Sequence, residues 1–561
     1  MTRDTSGMGR RRFLSTSATV MGTAAVLGGT GTPHAAAAGH DEALFSPVTV
    51  TPKDPRYTDL VRGLNQRWIG RPQSVQLVGS TAQTVTVVQQ AVREGKRLSV
   101  HGGGHCFEDF VYNADVQLVV DMSEMKQVYF DAARNAFAVE AGATLLEVYE
   151  TLYRLWGVTI PAGVCYTVGV GGHISGGGWG MLCRQYGLSV DHLYAVEVVV
   201  VDAGGTARAV VATREKSDPN RDLWWAHTGG GGGNFGVVTR YWFRSPGARG
   251  TDPAALLPAP PRQVLVSAIS WEWSELTRSG FTALVKNFGA WHVANSAPGN
   301  RSEGLCALLT LSHRSHGQIS LVTQSDATVP DAERLHNDFL TAMRTGVNAP
   351  SGAVTSAFGE HGPMPEFAAV QRLPWLQATR KLGTTVGSST NVNDPTIRAD
   401  HKSAYMRQNF PDKHVAVLYK HLTSPVIDNP AAMAQLHSFG GMVNATRPTA
   451  TASAHRDSAM KLIIYVQWSD QADDAGYISW LRDFYRELYA DTGGVPVPNA
   501  VTDGCYVNYP DIDLSDPRQN RSAVPWYTLY YKENYPRLQQ VKSAWDPRDT
   551  FRHGQSVQLP R

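Results

Sequence analysis

Three glycine clusters fall in the first half of the chain: His101-Gly-Gly-Gly-His105, Val168-Gly-Val-Gly-Gly-His-Ile-Ser-Gly-Gly-Gly178 and Gly229-Gly-Gly-Gly-Gly-Asn-Phe-Gly236. Glycine lets a backbone come close to a ligand and aim successive N–H groups at an anion. Three such loops in one region could hold a pyrophosphate without lysines, which is the chemistry of a phosphate or dinucleotide site. The Rossmann pattern G-x-G-x-x-G is not completed, because the glycines at 169 and 171 are followed by Ile174. No G-x-x-x-x-G-K-[ST] occurs either. Nicotinamide Rossmann enzymes and nucleoside triphosphatases are thereby disfavoured. The five cysteines, Cys106, Cys165, Cys183, Cys306 and Cys505, are odd in number and sparse. No C-x-x-C pair exists, so no structural zinc or other metal is expected. At least one thiol is left for other chemistry.

Alternating α and β elements must carry these loops. Between residues 45 and 245 the Val-rich runs Gln117–Asp121 and Val196–Val201 read as buried strands, and Thr144–Tyr153 has helical spacing. Pro253, Pro258, Pro260 and Pro261 mark a crossing into a second α/β region. There the spacing predicts strands at Gln263–Ile269, Leu305–Ser312 and Met460–Gln467 and an amphipathic helix at Gly476–Asp491. The tail Cys505–Gln558 is dense in Tyr, Trp and Pro and too short for a domain of its own.

With 561 residues, 42% hydrophobic and 18% charged, the composition is globular rather than disordered. At roughly 150 residues each, two to four domains are expected. A formal net charge of +2 disfavours a nucleic-acid partner held by a strongly basic surface. Gly9-Arg10-Arg11-Arg12-Phe13-Leu14 is followed by an apolar Gly/Ala-rich stretch, Thr16 to Gly29, and then by Pro33-His34-Ala35-Ala36-Ala37-Ala38. Charged, apolar, then cleavable is the order of a secretory signal, here of twin-arginine type. Residues 1–38 are thus expected to engage the twin-arginine export machinery, with an extracytoplasmic destination. The apolar stretch is short and glycine-diluted for a membrane anchor, and no other stretch is suited to a bilayer span. Removing residues 1–38, with their four Arg and one Asp, turns the net charge from +2 to −1. Such export commonly carries proteins that fold and load a cofactor first.

Longer motifs surround the glycines. Arg97-Leu-Ser-Val-His-Gly-Gly-Gly-His105 comes first, then Pro161-Ala-Gly-Val-Cys165 with Val168-Gly-Val-Gly-Gly-His173, then Asp222-Leu-Trp-Trp-Ala-His-Thr-Gly through Gly236. Cys505-Tyr-Val-Asn-Tyr-Pro-Asp511 follows, and the tail runs from Tyr531-Lys-Glu-Asn-Tyr-Pro-Arg-Leu538 through Trp545-Asp-Pro547 to Phe551 and Gln555-Ser556. In this order they resemble the berberine-bridge-enzyme-like oxidoreductases of the vanillyl-alcohol-oxidase, PCMH-type FAD-binding fold. The resemblance spans most of the chain after residue 38. It implies an α+β protein: a two-subdomain FAD-binding domain (45–245), a substrate domain on an antiparallel sheet with helices (246–500), and a C-terminal segment (501–561) that returns to complete the FAD domain.

The resemblance also assigns roles. FAD would be attached through His105 at the 8α-methyl and Cys165 at C6. Its other contacts would come from His101, Gly102, Gly103, Gly104, Val168, Gly169, Gly171, Gly172, Gly176, Gly177, Gly233, Asn234, Gly236, Val237 and Asn534. His173 would lie near the flavin pyrimidine edge and stabilise negative charge there. Val168 matches the position that tunes oxygen access, and a small aliphatic there implies an oxidase. Two positions depart from the pattern: Cys106 stands where serine is usual, and Thr228 where many members carry arginine. Removing hydride from an alcohol requires a base for the hydroxyl proton. Tyr506 and Tyr509 are the candidates, and the family's base is usually the second. An ordinary tyrosine, with a pKa of about 10, is a poor base at neutral pH unless a cation or donors stabilise its anion. On an extended strand the two would face opposite sides, so only a bend brings both to one substrate.

The resulting expectation is an exported FAD-linked oxidase. It acts on an alcohol of a sugar, glycoside or secondary metabolite and passes electrons to molecular oxygen to give hydrogen peroxide. Oxidative cyclisation or dehydrogenation of a metabolite, and sequestration of a drug-like molecule on the flavin, are the alternatives. Trp271, Trp273 and Trp291 are expected in the core rather than in a substrate pocket.

Overall fold

The computed structural model describes residues 45–359, 361–383 and 394–560. The signal-like segment 1–38 lies outside the described residues. Three sheets follow one another along the chain. β1 (Val48–Val50), β2 (Ser74–Leu77), β3 (Leu98–His101) and β4 (Leu118–Asp121) form the first, in the order β1-β2-β4-β3. β2, β4 and β3 are parallel, and β1 is antiparallel at the edge. β5 (Val128–Asp131), β6 (Ala136–Glu140), β7 (Leu193–Val201), β8 (Ala207–Thr213) and β9 (Val237–Phe243) form an antiparallel second sheet, β5-β6-β9-β7-β8.

The valine run of β7 serves two cores. Val198 and Val200 face the main core, whereas Val199 and Val201 join Val87, Val88, Leu118 and Val120 in a smaller one. The helix Thr81–Arg93, capped by the Ser80 side chain accepting from the Gln83 N–H at 3.2 Å, sits between the two sheets and welds them. The helix Leu145–Trp156 starts at a capping box in which Glu147 accepts from the Thr144 N–H at 2.8 Å, and ends where Gly157 turns left-handed (φ +69°).

The third sheet spans the region after residue 246. β10 (Gln263–Glu272), β11 (Leu305–Ser312), β12 (Gln318–Asp326), β13 (Gly352–Ala353), β14 (Gln371–Pro374), β15 (Arg398–Met406), β16 (Met433–Ser438) and β17 (Met460–Trp468) run in the order β13-β10-β12-β11-β16-β17-β15, with β14 also on β10. The helices Arg278–Ala294, Ala332–Arg344, Asp412–Leu422 and Asp474–Leu488 pack on it. Side chains alternate along the strands. Leu436, Leu462 and Ile464 join the helices in the core, while Met433, Gln435 and His437 of β16 stand on the other face. Register sets His437 opposite Leu308 and Lys461, and Met433 opposite Tyr465, which lies opposite His401. Trp271 and Trp273 are buried in the core, and Trp291 packs against Arg184. No described helix is long and apolar enough to cross a membrane.

The C-terminal segment packs back on the first two sheets' region, where a buried cation ties it down. Lys542 Nζ, fully buried on the helix Tyr535–Trp545, donates to the Asn234 carbonyl (2.8 Å), the Phe551 carbonyl (2.6 Å) and Asp546 (2.7 Å). Asn234 is held again by the Val557 N–H, 2.7 Å from its Oδ1. Replacing Lys542 with Met leaves the buried Asp546 carboxylate without its cation, held only by the Thr550 and Phe551 N–H groups, and is expected to cost about 3–5 kcal/mol in chemical denaturation; a loss below 1 kcal/mol would contradict this role.

Burial pushes His227, His336, His361 and His401 down to about 4 and His292 to about 3, so these rings are neutral in the fold. The unfolded chain protonates them below about pH 6.5. Native protein then binds fewer protons, and stability rises with pH from 4 to 6.5. Burial, with Asp400 nearby, raises Glu108 to about 8, which acts in the opposite sense and persists above pH 6.5. The thermal midpoint is therefore expected to climb steeply from pH 4 to 6.5 and then to level or dip toward pH 8. A midpoint that falls between pH 4 and 6.5 would contradict the neutral assignment.

Candidate active site

The first glycine loop leaves the end of β3 and crosses the second loop backbone to backbone. A Cβ on Gly103 would overlap the Gly169 nitrogen, and a Cβ on Gly169 would overlap the Gly103 nitrogen. This crossing brings two reactive side chains from separate loops to one place. Thr167 Oγ1 lies 2.8 Å from His105 Nε2 and 3.9 Å from Cys165 Sγ. Burial pushes His105 down to about 4, so its ring is neutral. With Nε2 bonded to Thr167, Nδ1 is the ring nitrogen left to act as a nucleophile. Cys106 lines the same cavity. Burial raises its thiol to about 12, which keeps it protonated and a weak rival. None of the five cysteines is in a disulfide.

Around these residues lies a cavity of about 400 Å3. Of the residues the sequence assigns to a cofactor, His101, Gly102, Gly103, Gly104, His105, Cys165, Val168, Gly169, Gly171, Gly172, Gly233, Asn234, Gly236 and Val237 line it. The C-terminal segment adds Tyr530, Phe551, Arg552 and His553 to the wall. The wall is bare where a ligand would need it. A Cβ on Gly172 would meet nothing within 4 Å, and one on Gly102 only the Ala141 carbonyl oxygen at 3.9 Å. Glycine at these positions serves no packing need and leaves backbone open to the cavity. A neutral imidazole and a thiol beside three glycine loops fit a flavin dinucleotide, whose ring would lie by His105 and Cys165 and whose phosphates would lie along the loops.

Three assigned residues lie outside this lining. A Cβ on Gly176 would overlap the Asn508 amide, and one on Gly177 would press on Ser453 Oγ at 2.7 Å. Asn534 donates to the carbonyls of Pro448 (2.9 Å) and Thr451 (3.1 Å) and so pins a loop of the substrate domain. Thr228 is also structural. Its hydroxyl donates to the Trp225 carbonyl at 2.5 Å and accepts from the Ala452 N–H at 2.9 Å, so it holds the same loop rather than a phosphate.

The bend required between the two tyrosines is present. The Tyr509 N–H bonds the Tyr506 carbonyl at 2.9 Å, which closes a turn and sets the rings 5.1 Å apart, nearly perpendicular. Both line the cavity. The cation that the sequence leaves unnamed is Lys461. It is 1% exposed on β17, and its Nζ lies 3.7 Å from the Trp179 ring centroid, 4.4 Å from that of Tyr506 and 5.2 Å from that of Tyr509. A buried ammonium at this range favours negative charge on the facing phenol. Burial by itself raises Tyr506, which keeps it a neutral phenol. His173 Nε2 accepts from the Gly163 N–H at 3.1 Å. Burial, then Lys461 and His105, push it down to about 3, so the neutral ring carries its hydrogen on Nδ1 as a donor. The substrate sheet contributes His401, Gln435, His437 and Tyr465 to the opposite wall, with His437 Nε2 2.6 Å from Gln435 Oε1. Alternation of Lys461, Tyr465 and Gln467 with apolar residues in β17 was the available sign of this polar face.

Comparison with known proteins agrees with this geometry. Residues 72–210 match the FAD binding domain family, and residues 505–558 match the berberine and berberine-like family. The chain is 50% identical to aclacinomycin-N/aclacinomycin-A oxidase of Streptomyces galilaeus, over 98% of both chains. It is 31% identical to hexose oxidase of Chondrus crispus, over 90% of this chain and 93% of that one. The crystal structure of a glycopeptide hexose oxidase complexed with teicoplanin superposes with a TM-score of 0.85 at 44% identity, over 92% of this chain and 99% of that one. The two crossed glycine loops, the tyrosine turn and the returning C-terminal segment are thus parts of a flavin site, and the chain belongs to the berberine-bridge-enzyme-like, FAD-linked oxidoreductases with the PCMH-type FAD-binding fold.

Proposed function

We propose that the protein is an exported oxidase that converts a carbinol carbon of a sugar or glycosylated metabolite to a carbonyl. Its FAD is held by bonds from both His105 and Cys165, and molecular oxygen is the final acceptor, giving hydrogen peroxide. The observation that carries this reading is that Tyr509, faced by the Lys461 ammonium, opens onto the same cavity as His105 and Cys165. The sugar-type substrate is supported by relatives described as hexose oxidases and by the polar sheet face across the cavity. Export rests on Arg11, Arg12 and the apolar stretch that follows.

Bound FAD supplies the hydride acceptor and returns its electrons to oxygen. The chain's own residues do the rest. Tyr509 takes the hydroxyl proton as the C–H bond breaks and the carbonyl forms. Lys461 offsets the charge on the phenol oxygen, so its deprotonated form is accessible near neutral pH. Gln435, His437, His401 and Tyr465 offer donors and acceptors to the substrate's other hydroxyls. With FAD bound, the His173 Nδ1–H would be available to negative charge on the reduced flavin, and the small Val168 would leave room for oxygen.

The test is peroxide release by flavin-loaded protein from hexoses and glycosylated aromatic metabolites. Tyr509→Phe is expected to lower kcat by about 10²–10⁴ with KM little changed, and Lys461→Met to move the acid limb of the kcat profile to higher pH. Absence of peroxide with every carbinol tried, or full kcat in Tyr509→Phe, would overturn the reading.

A further inference from the structure

Asn508 stands between the two tyrosines, and its amide reaches away from the turn. Nδ2 donates to the His173 carbonyl at 2.9 Å and to Tyr506 Oη at 3.0 Å. That carbonyl belongs to the helix Val170–Ser175, which begins directly at the second glycine loop. The helix is short, and the Gly177 N–H bonds the Ile174 carbonyl at 2.9 Å rather than that of His173. The His173 carbonyl is thus one of the unsatisfied acceptors at a helix C-terminus, and Asn508 satisfies it. On its other side the amide rests on Gly176, where a Cβ would overlap Oδ1. The missing side chain at Gly176 leaves the space in which the Asn508 amide sits.

We propose that Asn508 is a positioning residue: its amide docks the Tyr506–Tyr509 turn onto the cofactor-loop helix and so fixes the base relative to the flavin. The proposal rests on Tyr509 being that base. The residue type follows from the contacts. One nitrogen must donate two hydrogen bonds at short reach, to a carbonyl and to a phenol oxygen. Aspartate has the shape but sets an acceptor against the His173 carbonyl, and it accepts from the Tyr506 hydroxyl instead of donating to it. Serine is too short, and glutamine overshoots by a methylene. Because Tyr509 is the very next residue, a loss of docking moves the base directly. A shift of about 1 Å in a reacting group can cost about 10²-fold in rate.

The experiment compares wild type, Asn508→Ala, Asn508→Asp, Gly176→Ala and Tyr509→Phe as flavin-loaded enzymes, with rates expressed per bound flavin. Asn508→Ala is expected to keep its flavin and a KM within about threefold, while kcat falls about ten- to a hundredfold. Gly176→Ala is expected to lose kcat in the same way, and the double variant to be no worse than either alone. Asn508→Asp, the isosteric change, tests the role even where the alanine variant does not fold. Its carboxylate would move the acid limb of kcat to higher pH. The ionisable groups around it are Lys461 from β17, His401 from β15, His173 from the helix and Tyr506 from the turn itself. A merely structural role would lower stability and leave kcat per flavin and its pH profile unchanged, and that result would overturn the proposal. If Tyr509→Phe loses activity while the Asn508 variants do not, the positioning role alone fails. If Tyr509→Phe keeps full kcat, the base assignment fails and the positioning role with it.

Discussion

The site depends on one steric constraint: two backbones cross where neither can carry a side chain. Gly103 and Gly169 belong to loops from different sheets, yet each occupies the space a Cβ on the other would need. Without that crossing, His105 and Cys165 have no common neighbour. With it, both lie beside Thr167 and face the same cavity. The crossing also places the helix Val170–Ser175, hence His173, beside the tyrosine turn. Geometry set at two glycines thus reaches from His105 and Cys165 to the tyrosine turn.

Electrostatics complete what sterics begin. The site is buried, and burial is the largest cause that pushes its histidines toward neutrality and raises Tyr506. That suits a nucleophilic imidazole and a donor to the flavin, but it works against a phenol that must lose its proton. Lys461 meets the second need without exposing the site. It projects from the middle of a strand and is caged by Trp179, Tyr506 and Tyr509. Deeper in the FAD domain, Lys542 does analogous work for the fold by tying the last segment to the third glycine loop.

How much of this was legible in the sequence follows from which signals are local. The valine runs, the capping residue Thr144 and the glycine clusters act within a few positions, and the strands Leu118–Asp121, Leu193–Val201 and Leu305–Ser312 lie where they point. The three loops and the tyrosine pair were visible as motifs because their chemistry is written in adjacent residues. Lys461 was not, since its role depends on a register between strands that are far apart in the chain. Gly176, Gly177 and Asn534 sit inside motifs that the resemblance assigns to the cofactor. In three dimensions they pack against Asn508, Ser453 and the 448–452 loop. Motif membership records that a position is constrained, and only packing says by what.

The central claim is that the loop crossing exists to present two nucleophiles to one flavin. Its most direct test is the denatured intact mass of the purified protein, with His105→Ala, Cys165→Ala and the double variant alongside. The account predicts one FAD added to the wild-type chain, retained in each single variant and lost only in the double. Loss in one single variant would mean a single bond through the residue removed. An unmodified wild-type mass would contradict attachment at either residue.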